Sequence, residues 1–113
     1  MDELKFPEGF EEVECPAEKT ILLIGNKWSL LILRELILAD MPLRYNELAR
    51  NLKKISSRTL SKKLKNMTNY GIIKKRIIDD SPIKVEYSLT EKGRELYKVT
   101  QPMADWSKKW HKF

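Results

Sequence analysis

The spacing of hydrophobic residues changes along the chain, and each spacing predicts an element. Pro16 suits the first position of a helix, and a short helix to about Ile24 fits, ended by Gly25 and Asn26. Lys27 to Leu38 is apolar around nearly its whole circumference, with Trp28, Leu30, Leu31, Ile32, Leu33, Leu36 and Ile37. A helix of that kind belongs in a core, and Asp40-Met41-Pro42 breaks it. Tyr45, Leu48, Ala49 and Leu52 fall at i, i+3, i+4 and i+7, one face of a short helix. After the tight connection Lys53-Lys54-Ile55, Ser56 is placed to cap a further helix. That helix carries Leu60, Leu64 and Met67 inward and should stop near Asn69 or Gly71, a glycine suited to a left-handed end.

The period then becomes two. Ile72 to Ile78 reads as a strand, Asp79-Asp80-Ser81-Pro82 as a turn, and Ile83, Val85, Tyr87 and Leu89 alternate with Lys84, Glu86 and Ser88 as a half-buried strand. Thr90 can cap a last helix, in which Leu96, Val99, Met103, Trp106 and Trp110 recur at heptad-like spacing. Pro102 is expected to kink or split it. The reading is a mainly α chain with one β-hairpin, in the order α-α-α-α-β-β-α: a winged helix-turn-helix with a C-terminal dimerisation helix. Residues 1–14 read as an acidic arm, pinned by Phe6, Phe10 and Val13. Residues 15–113 read as the DNA-binding domain, its dimerisation helix spanning about 90–112.

Charge sharpens this picture. The 113 residues carry a net charge of +6, with a sequence pI near 9.4. The sign is segregated. Met1 to Glu18 holds seven acids and one Lys, whereas Arg50 to Arg76 holds ten Lys or Arg and no acid. Surfaces usually mix their signs, so a block of one sign this long suggests a face for a polyanion, with nucleic acid considered before acidic membrane. One cysteine excludes an intrachain disulfide. The acidic start does not resemble a signal peptide. The apolar stretch Ile21 to Leu38 is interrupted by Gly25-Asn26-Lys27 and Arg34-Glu35, unlike a membrane span. A cytoplasmic protein without membrane partners is expected.

A short helix, a tight turn and a second helix form a helix-turn-helix unit, whose second helix can lie in the major groove and read base edges with its N-terminal residues. With the inward residues removed, the helix from Ser56 presents Ser57, Arg58, Thr59, Ser61, Lys62, Lys63 and Lys65. Ser56, Ser57 and the first backbone N–H groups can hold phosphate. Arg58 can make a two-pronged contact to guanine, while Lys62 and Lys65 lie where phosphate would be met. A solvated lysine-rich face is the plain alternative. In the hairpin, Lys74, Arg76 and Lys84 are candidate DNA contacts. Asp79 and Asp80 would repel phosphate, so the strands rather than the tip are expected to approach the duplex. Alternatively, the hairpin only closes the core.

The chain also resembles the HxlR-type transcriptional regulators from Cys15 to about Trp106. The resemblance rests on Cys15-Pro16, Ile24-Gly25-Asn26-Lys27-Trp28 with Leu31-Ile32-Leu33, Arg44-Tyr45-Asn46-Glu47-Leu48, Ile55-Ser56-Ser57-Arg58-Thr59-Leu60, Tyr70-Gly71-Ile72-Ile73 and the run from Val85 to Gly93. It departs at Asn26, where a second glycine is frequent, and at the acidic wing tip. It implies a homodimeric winged-helix regulator on a palindromic operator, and in some members a cysteine at this position that senses oxidants, aldehydes or quinones.

Dimerisation is also expected from the chain itself, because one such helix covers few base pairs and a two-fold pair would set two of them about 34 Å apart. Leu96, Val99, Met103, Trp106 and Trp110 form the candidate interface; packing within one subunit is the alternative. Cys15 is the candidate redox sensor, because a helix N-terminus favours thiolate. Glu12, Glu14 and Glu18 oppose that, and a small buried residue is the plain alternative. No cofactor, metal site or catalytic constellation is expected: His111 is the single histidine, and no glycine-rich phosphate loop is present. A non-specific architectural DNA-binding protein and a winged-helix interaction module remain as alternatives.

Overall fold

The computed structural model describes residues 4–112. Its elements are α1 (Pro16–Ile24), α2 (Lys27–Ala39), β1 (Leu43–Arg44), α3 (Tyr45–Leu52), α4 (Ser57–Asn69), β2 (Ile73–Asp80), β3 (Ile83–Leu89), α5 (Glu91–Arg94) and α6 (Tyr97–Trp110). The winged helix-turn-helix expectation holds, with two additions. A third strand, β1, pairs antiparallel with β3, Leu43 opposite Tyr87 and Arg44 opposite Glu86, so the sheet order is β1-β3-β2. Two residues carry no readable period, and only pairing with a distant strand makes them a strand. The helix expected from Thr90 is divided in two. Thr90 caps α5 by accepting the Gly93 N–H at 3.0 Å. The chain then tightens into i→i+3 bonds, at Leu96 between the two helices and at Lys98 and Val99 in the first turn of α6. The division therefore lies at Glu95–Leu96, where Leu96 turns onto the core, and α6 runs through Pro102 without a break.

Smaller corrections follow the same logic. Asn26 does not end α1; it caps α2, its side chain accepting the Ser29 N–H at 3.0 Å. The hairpin turn is shorter than expected, because Asp79 and Asp80 belong to β2, opposite Lys84 and Ile83, leaving Ser81-Pro82 as the connection. A β-bulge between Ile77 and Asp79 shifts the register there.

The core is a single cluster in which Ile32, Leu33 and Leu36 of α2 meet Leu48 of α3, Leu60, Leu64 and Met67 of α4, and Ile72 and Ile73 at the start of the wing. The near-continuous apolar circumference of α2 is thus only partly used: Leu30, Leu31 and Ile37 are half-buried and Leu38 is 73% exposed.

Of Phe6, Phe10 and Val13, the residues expected to pin the N-terminal segment, the two aromatic ones make contacts with the rest of the chain. Lys5 N–H donates to the Asn69 carbonyl at 2.8 Å, at the end of α4. The Phe6 ring stacks on Phe10 at 4.6 Å and on Tyr70 at 6.4 Å. Lys92 lies over Phe6 and donates to the Tyr70 carbonyl, and Lys19 lies over Phe10 and donates to its carbonyl. Partial burial pushes the Lys92 ammonium below the usual lysine range. Gly71 takes φ +76 at the end of α4, the left-handed stop its position predicts.

Candidate nucleic-acid interface

The recognition unit begins with α3. Glu47 accepts the Arg44 N–H at 2.9 Å, which fixes the first turn. The turn after α3 puts Lys53 at φ +53, a conformation uncommon for a residue with a side chain. Ser56 then caps α4 as predicted: its hydroxyl accepts the Thr59 N–H at 3.1 Å and donates to the Thr59 hydroxyl at 2.9 Å. The Ser56 hydroxyl is therefore engaged in holding the helix. The amides of Ser57 and Arg58, which have no acceptor within a helix starting there, are left at its positive end.

Burial of Leu60, Leu64 and Met67 fixes the rotation of α4 about its axis. The opposite side carries Arg58, Ser61, Lys62 and Lys65 at i, i+3, i+4 and i+7, all exposed. No acidic side chain lies on α4, and none of its basic residues takes part in an ion pair among the described residues. Ser57 is exposed beside Arg58, whereas Thr59 is half-buried against the cap.

The wing divides the basic residues in a way that the alternation alone does not reveal. Lys75 stands opposite buried Tyr87, on the face that also carries Ile73 and Leu89. It lines a cavity of about 260 Å³ with Tyr45, Ser61, Lys65 and Tyr87, between α4 and the sheet. Lys74 opposite Ser88, Arg76 opposite Glu86, and Lys84 on β3 belong to the other face. The structure therefore brings Ser57, Arg58, Ser61, Lys62 and Lys65 together and leaves Lys74, Arg76 and Lys84 off that surface. Arg76 lies 3.9 Å from Glu86, a loose exposed pair of little energetic weight.

Two residues at this surface were missed. The period of two from Ile73 through Ile77 sets Lys75 on the face opposite Lys74, but only the packing of the sheet puts that face beside α4. The helical spacing places Tyr45 only on the apolar face of α3. Its ring is half-buried, but its hydroxyl donates to the Ser57 carbonyl at 3.1 Å and lies 3.3 Å from the Ser61 hydroxyl, tying α3 to the start of α4. Burial, and then the neighbouring Tyr45, raise the Tyr87 phenol above its ordinary range, so it stays neutral near pH 7.

The residues of the expected dimer stripe also separate. Val99, Met103, Trp106 and Trp110 are exposed on α6, Trp106 by 60% and Trp110 by 65%, and no residue of α6 is buried. Leu96 packs against the core of its own chain. Where α6 passes α2, Leu31, Ile37, Leu38, Tyr97 and Met103 line an apolar groove of about 290 Å³. Cys15 is exposed at the N-cap of α1 and makes no capping hydrogen bond. Among the described residues no cluster could hold a metal ion, and no helix is long and apolar enough to cross a membrane.

A three-stranded wing beside a capped, basic second helix defines a winged helix-turn-helix transcriptional regulator, a protein that binds DNA. Comparison with known proteins agrees. The family model described as HxlR-like helix-turn-helix matches residues 23–113. The uncharacterized HTH-type transcriptional regulator YdzF of Bacillus subtilis is 40% identical over 93 residues, covering 82% of this chain and 84% of that relative. The redox regulator HypR in its reduced form superposes with a TM-score of 0.78 at 35% identity, covering 84% of this chain and 92% of the other. The quinone-bound form of YodB from B. subtilis superposes at 0.73 with 32% identity, covering 85% and 99%. The chain belongs to the HxlR-like helix-turn-helix family, whose members here are transcriptional regulators rather than enzymes.

Proposed function

We propose that the protein binds a two-fold symmetric operator as a homodimer, with α4 of each protomer in the major groove. The observation that carries this reading is the division of α4 into a buried apolar side and a bare side of Arg58, Ser61, Lys62 and Lys65. The amides of Ser57 and Arg58 and the Lys75 ammonium add phosphate donors at either end of that surface. Arg58, in the first turn, is the base reader, because N-terminal residues of a recognition helix come closest to base edges.

Arg58→Ala should cost about 1–3 kcal/mol and relax base preference at one position of each half-site. Lys62→Ala and Lys75→Ala should instead weaken binding to every sequence. Each should lower the salt slope by about 1 for every phosphate left without its lysine, roughly 2 in a dimer. Binding measured by anisotropy on operator and scrambled duplexes over a salt series separates the two effects. Native-like binding by all three variants would show that α4 is misassigned. Equal affinity for operator and scrambled DNA would favour an architectural protein, and salt-independent association with protein alone would favour an interaction module.

Homodimerisation is supported by α6. A helix of 14 residues is marginal by itself in water, carries Pro102 in its interior, and finds little of its own chain to cover Val99, Met103, Trp106 and Trp110. A second copy meeting it there, with Leu38 of α2, would bury that stripe. The stripe's fifth member, Leu96, is half-buried against the core of its own chain.

Cys15 is the proposed point of chemical control. It is the single cysteine and is exposed, and the superposable HypR and YodB structures are of a redox regulator and of a quinone-bound regulator. Addition of its thiolate to a quinone would give one thioether per chain. Oxidation by diamide would join two Cys15 thiols of different chains, the reagent taking up two electrons and two protons. Quinone treatment should therefore raise the protein mass by one adduct and weaken operator binding, both effects being absent in Cys15→Ser. A Cys15→Ser protein that still lost operator on treatment would remove Cys15 from this role.

A further inference from the structure

The wing lysine that faces away from α4 lies in a cleft of its own. Lys74 on β2, Ser88 beside it on β3, Arg94 at the end of α5 and Asp40 after α2 line a cavity of about 230 Å³, whose apolar lining is exposed Met41 and Pro42 with the buried Leu36 and Leu89 behind them. Among the described residues neither Lys74 nor Arg94 takes part in an ion pair, although Asp40 shares the cleft. Two unpaired cations therefore line one small hollow, together with a hydroxyl and aliphatic walls.

We propose that this cleft binds a small monocarboxylate with a compact apolar body. The Arg94 guanidinium suits both oxygens of a carboxylate, and Lys74 adds a compact charge. Asp40 leaves the three charged lining residues with a net charge of +1, which matches a monoanion and works against a phosphate dianion. Met41 and Pro42 take the apolar body. The volume lies below the roughly 300 Å³ at which ordinary ligand pockets begin, so the occupant is small. Because Lys74 and Ser88 sit at the root of the wing and Arg94 just before α6, an occupant would brace one against the other.

The full-length protein, free of DNA, is titrated by calorimetry and amide NMR with phenylacetate, its neutral isostere phenylacetamide, acetate and inorganic phosphate. Phenylacetate should bind saturably, shifting the amides of Lys74, Ser88 and Arg94. It should bind about tenfold or more tightly than the other three, the size of one charge-assisted hydrogen bond. Arg94→Met and, separately, Lys74→Met should each lose about that factor while unfolding at the native temperature. No saturable binding of phenylacetate, equal binding of phenylacetamide, phosphate binding as tightly as phenylacetate, or unaltered affinity in Arg94→Met would each overturn the assignment. Because no DNA is present, none of these failures bears on the operator reading.

Discussion

A protein carrying Met103→Glu and Trp106→Ala should sediment as a monomer and lose a factor of about 10²–10⁴ in affinity for an operator with two half-sites, while keeping native affinity for a single half-site. The size follows from linkage. In a dimer the second α4 is delivered to its half-site by the first binding event, so its association is effectively intramolecular. In a monomer each α4 must bind alone. The substitutions act on side chains that contribute little inside the protomer, Met103 being 52% and Trp106 60% exposed, so the winged domain should keep its fold. Loss of helicity confined to α6 would accompany monomer formation, because nothing else would shield its apolar stripe. A variant that remained dimeric would place the interface elsewhere, and one that lost half-site affinity too would make α6 a support for α4.

Gly93→Ala should destabilise the fold by about 1–3 kcal/mol, the usual cost of forcing extra atoms into a packed interior, measured by urea unfolding. Gly93 is buried in α5, and a Cβ there would run into the backbone carbonyl of Ile72. A carbonyl in the main chain cannot swing aside as a side chain can. The same place holds a second bond set: the Thr90 N–H donates to the Ile72 carbonyl at 3.1 Å, and the Thr90 hydroxyl caps Gly93 while donating to the Gly71 carbonyl. Displacing Ile72 would therefore disturb the end of α4, the start of the wing and the cap of α5 together. DNA affinity per folded molecule should change little. A stability unchanged within about 0.5 kcal/mol, the scale of an ordinary surface substitution, would mean that the close approach relaxes freely.

Local signals in the chain located α4 well. Ser56 followed by Leu60, Leu64 and Met67 combines a cap with a period, and both act within a few residues, so the helix start, its inward side and its bare side could be read directly. Gly71 and Thr90 were legible for the same reason. The wing was legible only as a hairpin. Alternation says that Lys74 and Lys75 point to opposite faces, but which face lies beside α4 depends on how β3 packs between β1 and β2. Alternation by itself therefore gives no ground for choosing between Lys75 and the set Lys74, Arg76 and Lys84. A heptad count through Leu96 assumes one continuous helix, whereas the chain tightens at Glu95–Leu96 and Leu96 packs against the core of its own chain.

By itself, the sequence determined the helix-turn-helix order, the cap and the apolar side of α4, the acid-free basic segment and the hairpin. These rest on hydrogen bonds, helix periods and charges that act over short stretches of chain. Only the tertiary structure decided that two residues at Leu43–Arg44 form a third strand, that Tyr45 ties α3 to the recognition helix, and that Lys75 rather than Lys74 faces α4. It also decided that Leu96 is half-buried against the core while the rest of the stripe on α6 stays exposed. Each of these depends on contacts between segments far apart in the chain, and no local period carries information about which distant partner a residue will meet.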